Sequence, residues 1–197
     1  MVWREQGLGD EIMLASMLHE LQGLNCQVVF ECNNLLVSLF QRSFPEFEVR
    51  AEAFRSIYPF DCPQEDFDYQ IPLASLGGLF RRELDDFKRC QAYFKTDPAI
   101  VADYKARLSA LAPGKKWIGL CWRSGMISPT RSSSYTLMED WDELLLLPDV
   151  AVINLQYGLC EDELLAAEER TGKTIIRWQE TDLQNDMEAV AALSQAL

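Results

Sequence analysis

The chain has 197 residues, 48% of them hydrophobic, with 31 acidic against 18 basic side chains and a formal net charge of −13. Length and apolar content suit one substantial globular domain or two small ones, and the acidic excess, with no concentration of basic residues, argues against nucleic acid as a partner. No apolar run approaches the ~20 residues of a membrane span and the N-terminus lacks a signal-peptide pattern, so the expected setting is the cytoplasm, without a membrane span.

The opening MVWREQGLGDE reads as a short strand followed by a glycine turn in which Gly7 and Gly9 bracket Leu8. Behind it, Leu14, Met17, Leu18 and Leu21 fall at i, i+3, i+4 and i+7, one face of a helix. QVVFEC reads as a buried strand, NNLLVSLFQRSF as a helix capped from Asn33-Asn34, and EFEVRAE as a further strand. From Ala53 to Gln70 periodicity is lost; a short strand, DYQIPL, and a Leu/Gly/Phe segment follow. AIVADYKARLSAL is a helix entered through Asp97-Pro98 and left at Pro113-Gly114. That Pro-Gly pair sets the expected boundary between an N-terminal domain, 1–112, and a C-terminal one, 113–197.

In the second part the alternation is cleaner. KWIGLCW is a strand, YTLMEDWDELLLL a helix ended by Pro148, AVINLQY a strand, EDELLAAEERTG a helix stopped by Gly172, and TIIRW a strand. DLQNDMEAVAALSQAL closes as a helix capped by Asp182, with Leu183, Met187, Val190 and Leu197 on one side. Strands alternating with helices imply parallel sheets covered on both faces, hence two α/β layers in sequence. The short first strand and the absence of a strand after the last helix lead to the expectation of a chain cut from something larger, whose open sheet edges invite a homodimer.

Ligands of open parallel sheets bind beyond the carboxyl ends of the strands, which selects three loops. In REQGLGDE, Gly7 and Gly9 permit positive φ or close approach to a ligand, but neither a dinucleotide fingerprint nor a phosphate loop is present. The carboxylates of Asp10 and Glu11 oppose an anion there. Asp10 either accepts a proton from a bound hydroxyl or simply caps the helix. The second loop, CWRSGMISPTRSSSYT, gathers Arg123, Ser124, Gly125 and Arg131 with Ser128, Thr130 and Ser132 to Ser134, a donor set suited to phosphate, unless both arginines pair with neighbouring carboxylates. The third offers Gln156 and Tyr157 to a base or sugar, unless Tyr157 packs under the loop. His19 is expected at a solvated rim. The six cysteines, without a CxxC pair, read as reduced, mostly buried thiols, with no metal site.

EQGLGDEIMLASML is similar to the opening motif of bacterial heptosyltransferase-like glycosyltransferases, especially those appended to tetratricopeptide repeats. IGLCWRSG, VINLQYG and TDLQNDMEAVAALSQAL resemble successive segments of that family's second domain. The resemblance implies a GT-B architecture of two Rossmann-like parallel-sheet domains, here with the second incomplete. It also implies metal-independent, inverting hexosyl or heptosyl transfer from a nucleotide-sugar, as substrate rather than cofactor, to a hydroxyl of a protein or saccharide acceptor. Asp10 matches the family's catalytic base. Arg123, Ser124 and Gly125, with Gln156 and Tyr157, match the donor-binding loops, and Arg131 joins them by its own chemistry. Family members continue into a strand and a Ser/Thr-rich loop carrying a histidine beyond the position of Leu197, so the chain is expected to be either a fragment of a larger transferase or a truncated gene product. The alternative is a non-catalytic binding domain that keeps a degenerate GT-B scaffold.

Overall fold

A computed structural model describes residues 1–52, 66–87, 92–125 and 129–197, without the side chains of residues 129 and 131. Helices and strands alternate, and the chain divides into two units, Met1–Lys95 and Thr96–Leu197.

In the first unit, β1 (Val2–Trp3), β2 (Val29–Cys32), β3 (Glu48–Ala51) and β4 (Ile71–Pro72) form a four-stranded parallel sheet of order β3-β2-β1-β4. Strand alternation divides its residues between the two faces. Val2, Phe30 and Val49 are buried, and the Phe30 ring lies edge-on to Phe40 at 5.1 Å, on α2 (Val37–Ser43). The opposite parity carries charge: Glu31, 2% exposed, pairs with Arg50 at 2.9 Å. The expected first helix splits into α1 (Leu8–Leu14) and a 3₁₀ segment, Ala15–Leu21. Burial there follows a period of three, with Ala15, Leu18 and Leu21 all inside, the spacing at which 3₁₀ side chains eclipse. Asn33 accepts from the Leu35 amide at 2.9 Å as the expected cap. The Leu/Gly/Phe segment is a 3₁₀ turn, Leu73–Ser75, leading into α3 (Leu76–Phe80). Most of the aperiodic stretch lies outside the described residues, as do Cys62 and Cys90.

The second unit opens with α4 (Pro98–Leu111), capped by Asp97, whose side chain accepts from Ala99 N at 2.8 Å. β5 (Lys116–Leu120) and β6 (Val150–Asn154) form a two-stranded parallel sheet. α5 (Pro129–Ser132), α6 (Asp142–Leu145), α7 (Glu161–Thr171) and α8 (Met187–Ala196) complete the unit. Ile153 packs with Val101, Tyr104 and Leu108 of α4 and Ala189, Ala192 and Leu193 of α8. Leu120 and Val152 pack with Leu145, Leu164, Ala167 and Ile175 in a separate cluster. Apolar clusters involving both parities of β6 are what a sheet covered on both faces requires. Gly119 leaves room for the leucines around it: a Cβ would stand 2.3 Å from Leu155 Cδ1 and 2.6 Å from Leu197 Cδ1, so both side chains would have to shift.

Several expectations change. The boundary falls near residue 95, not 112, because Val101, Tyr104 and Leu108 complete the core made with α8. TIIRW contributes one bridge, Ile153 to Ile176, rather than a strand. The last helix starts at Met187 with Asp186 as its cap, accepting from Ala189 N at 2.9 Å, while Asp182 closes a turn on Gln184 N and Asn185 N. Its buried side is Met187, Ala189, Ala192, Leu193 and Ala196, whose alanines bring α8 against α4. The helix expected before Pro148 is a 3₁₀ turn, Met138–Trp141, followed by α6. Among the described cysteines, Cys32 and Cys160 are buried, whereas Cys26 and Cys121 are exposed, and all four are free.

A fragment beginning at Thr96 is expected to unfold cooperatively, whereas one beginning at Pro113 uncovers the alanine side of α8 and loses that cooperativity. Chemical denaturation followed by tryptophan fluorescence checks this; equal transitions would detach α4 from the second core.

Candidate functional site

The order β3-β2-β1-β4 reverses its direction of growth between β1 and β4, the point at which open α/β sheets leave a crevice at their carboxyl edge. The segment Arg4–Gly7 leaves β1 there. It is held across the crevice by Glu5, whose Oε2 accepts from Ala74 N, just past β4, at 2.9 Å. The positive φ expected of a glycine belongs to Gln6, at 64°, and Arg4 Nη2 donates to the Gln6 carbonyl at 2.9 Å. Gly7 is extended and serves as the N-cap position, and nothing crowds a Cβ at Gly9.

The two acidic residues that follow part company. Asp10 is exposed, with Oδ2 accepting from Gly7 N at 3.1 Å, so its side chain closes the first turn of α1 back onto the N-cap residue. Glu11 is fully buried. Its Oε2 accepts from Arg4 Nε at 2.7 Å and its Oε1 from Asn33 N at 2.8 Å, so one carboxylate ties the ends of β1 and β2 together. Burial pushes its pKa up, against the lowering pull of the Asn33 amide and Arg4. Arg4 is shared with Glu52, beyond β3, at 3.0 Å. Sequence reasoning did not single out Glu11, although its place in the stripe of Leu14, Leu18 and Leu21 was the signal: a carboxylate on an apolar face needs an internal partner.

At the carboxyl edge of the second unit the organiser is Gln156, 1% exposed. Its Oε1 accepts from Trp122 N at 3.2 Å and Arg123 N at 3.0 Å, and from the Cys121 thiol at 3.5 Å, while Nε2 donates to the Tyr157 carbonyl at 3.0 Å. Gly125 lies against the Tyr157 ring, where a Cβ would meet Cε2 at 2.4 Å. Arg123 Nε donates to Glu163 Oε1 at 3.1 Å, Nη2 reaches the same carboxylate and the Leu159 carbonyl, and Trp122 Nε1 donates to Glu163 Oε2 at 2.6 Å. The carboxylate pairing left open for Arg123 is thus present. The loop brings Ser124 and Gly125 beside it, and Arg131 lies in α5, its side chain outside the described part, as is the whole of Ser128.

Beside this turn is a cavity of about 570 Å³, whose walls include Asn154, Gln156, Tyr157, Trp178, Thr181 and Gln184. Aromatic and amide side chains line it together with the first turn of α7, which carries Glu161, Asp162 and Glu163. Arg177, also on the wall, is committed to Glu161 and Glu168. Trp178 is 6% exposed, carries the Arg107 guanidinium 4.3 Å from its ring centroid, and has no hydrogen-bond partner for Nε1 among the described residues. His19 is exposed, as expected, with its ring 5.0 Å from Phe44. Among the described residues no group of three His, Cys, Asp or Glu side chains could hold a metal ion, and no helix is long and apolar enough to cross a membrane.

Protein FlbA of Caulobacter vibrioides is 35% identical to this chain over 208 residues, a match that takes in 100% of the chain but 35% of that protein. The chain therefore spans about a third of the length of this curated relative. No family model and no solved structure matches it.

The Arg123 guanidinium beside Glu163 holds that carboxyl below the usual carboxylate range. A lowered folded-state pKa contributes stability that is present above the unfolded-state value and lost as pH falls through the folded one. Glu163→Gln is expected to be less stable than wild type near neutrality, with the gap closing between about pH 5 and pH 3. Thermal unfolding across that range measures it, and a pH-independent gap would remove the pair as a stabilising contact.

Proposed function

We propose that this chain forms part of an inverting glycosyltransferase of GT-B type, which moves a sugar from a nucleotide-sugar to a hydroxyl on a protein or saccharide acceptor. The observation that carries the reading is the separation of Asp10 from Glu11. At the carboxyl edge of the first sheet, Glu11 is buried and committed to the scaffold, while Asp10 stands exposed on a cap anchored by Gly7. A carboxylate so held is suited to take the proton of an acceptor hydroxyl as it attacks an anomeric carbon. The ordered resemblance of four segments to heptosyltransferase-like enzymes supports the same role.

In this reading the second unit receives the donor. Tyr157, with Trp178 on the wall, supplies aromatic surface for a base or sugar, and the amide of Gln184 and the hydroxyl of Thr181 supply hydrogen bonds. Ser124, Gly125 and the guanidinium of Arg123, with Arg131 from α5, would meet the diphosphate and stabilise the charge gathering on the leaving group. An anion approaching Arg123 must share it with Glu163, and the acidic first turn of α7 repels it, so donor affinity depends on that exchange.

A second reading is favoured by the same contact. Because Arg123 is closed on Glu163 and Gln156 on its own backbone, the scaffold is stable without a ligand, as suits a domain that binds a partner and carries out no transfer. The two readings separate on one residue. In the full-length protein, Asp10→Asn is expected to lower transfer from a panel of nucleotide-sugars by about 10²–10⁴-fold while leaving nucleotide binding intact. Transfer is read by product mass and binding by calorimetry; unchanged turnover would remove Asp10 from the chemistry, and absence of nucleotide binding in the wild type would favour the binding domain.

A further inference from the structure

We infer that Gln156 is a positioning residue: its buried carboxamide fixes the turn of Cys121 to Gly125 against Tyr157, so that the ligand meets the turn and the ring rather than the amide. The inference rests on the reading of this edge as the donor site.

Two backbone N–H groups, of Trp122 and Arg123, leave the end of β5 and converge on Oε1, while Nε2 is committed to the Tyr157 carbonyl. Asn154 fixes the backbone from the other direction. Its Oδ1 accepts from Gln156 N at 3.0 Å and its Nδ2 donates to Gln156 O at 3.1 Å. The Trp122 carbonyl accepts from Thr136 Oγ1 at 3.2 Å, and Gly125 lets the turn lie on the Tyr157 ring. Few side chains can do this. The position demands an acceptor and a donor on one short planar group: leucine offers neither, asparagine is a methylene shorter, and an ionised glutamate would set a second oxygen against the Tyr157 carbonyl. With the turn fixed beforehand, a ligand at Arg123 and Tyr157 does not have to order it.

The glutamate variant makes the role measurable, because a protonated carboxyl restores the missing donor. Burial raises the pKa of such a group, against the lowering pull of the Trp122 and Arg123 amides. The titratable and charged groups around it are the thiols of Cys121 and Cys160, both pushed up by burial, and the paired Arg123 and Glu163.

The test uses the full-length protein with UDP and GDP as probes. Gln156→Glu is expected to bind as wild type does near pH 5 and at least about tenfold more weakly near pH 8. Its Trp122 and Arg123 amides should exchange faster than those of wild type at the higher pH and alike at the lower. Gln156→Leu should be weak and fast-exchanging at both. If the leucine variant fails to fold, the glutamate variant carries the test, with unchanged protection in α4 and α8 certifying its core. Amides equally protected in Gln156→Glu at pH 8, or affinity equal to wild type across the range, would overturn the inference. If wild type binds neither nucleotide, the donor reading fails alone, and the amide exchange still decides what Gln156 does.

Discussion

Parallel strands end by releasing backbone amides that the next strand no longer receives, and a buried amide without an acceptor is strongly unfavourable. Both halves of this chain answer with one buried side chain brought in from a neighbouring element. In the first unit Glu11, from α1, accepts the Asn33 amide beyond β2 and the Arg4 guanidinium beyond β1. In the second, Gln156, beyond β6, accepts two amides beyond β5. The rest of each carboxyl edge is arranged around that acceptor, which is why the loops after these short strands have defined shapes.

The choice of acceptor differs with the charge around it. Glu11 is a buried carboxylate, so it needs a cation, and Arg4 supplies one while also bracing the strained Gln6 and reaching Glu52. Gln156 is neutral and needs no counter-ion, which leaves Arg123 to Glu163. Across a chain with 31 acidic and 18 basic residues, arginines are the scarcer partner, and Arg4, Arg50, Arg107, Arg170 and Arg177 are each drawn into carboxylate pairs. An anionic ligand therefore competes with an internal carboxylate for any of these guanidinium groups. A neutral, hydroxyl-rich ligand does not.

What could be read from the sequence follows from how far each signal reaches. Strand and helix alternation is local and periodic, so the α/β class, the Asn33 cap, the helix entry at Asp97-Pro98 and the Gly172 stop were legible, the last a left-handed residue at φ 66°. The boundary was not, because the Pro113-Gly114 turn is a local feature whereas the attachment of α4 to α8 joins segments some 90 residues apart. The alanine side of α8 was hidden for a related reason: Leu183 and Leu197 outrank Ala189 and Ala192 in hydrophobicity, yet small residues are what a close helix contact buries. At the sites, residue type shows which loops carry polar groups but not which of those groups are already taken by an internal partner. Arg123 reads as a phosphate ligand until Glu163, forty residues on, is seen beside it.

The contrast between Asp10 and Glu11 shows why adjacent residues of one charge can have opposite roles. On a helix, consecutive side chains diverge by about 100°, so if one enters the sheet edge the next stands clear of it. Glu11 lies on the buried stripe and its carboxylate is consumed by Asn33 and Arg4. Asp10 is carried outward, where its Oδ2 accepts from the Gly7 amide at 3.1 Å. The buried acid thus sets the loop's shape and, through it, the direction of the exposed one. Gln156 bears the same relation to Arg123 in the second unit, where the more enclosed side chain fixes the backbone that carries the less enclosed one.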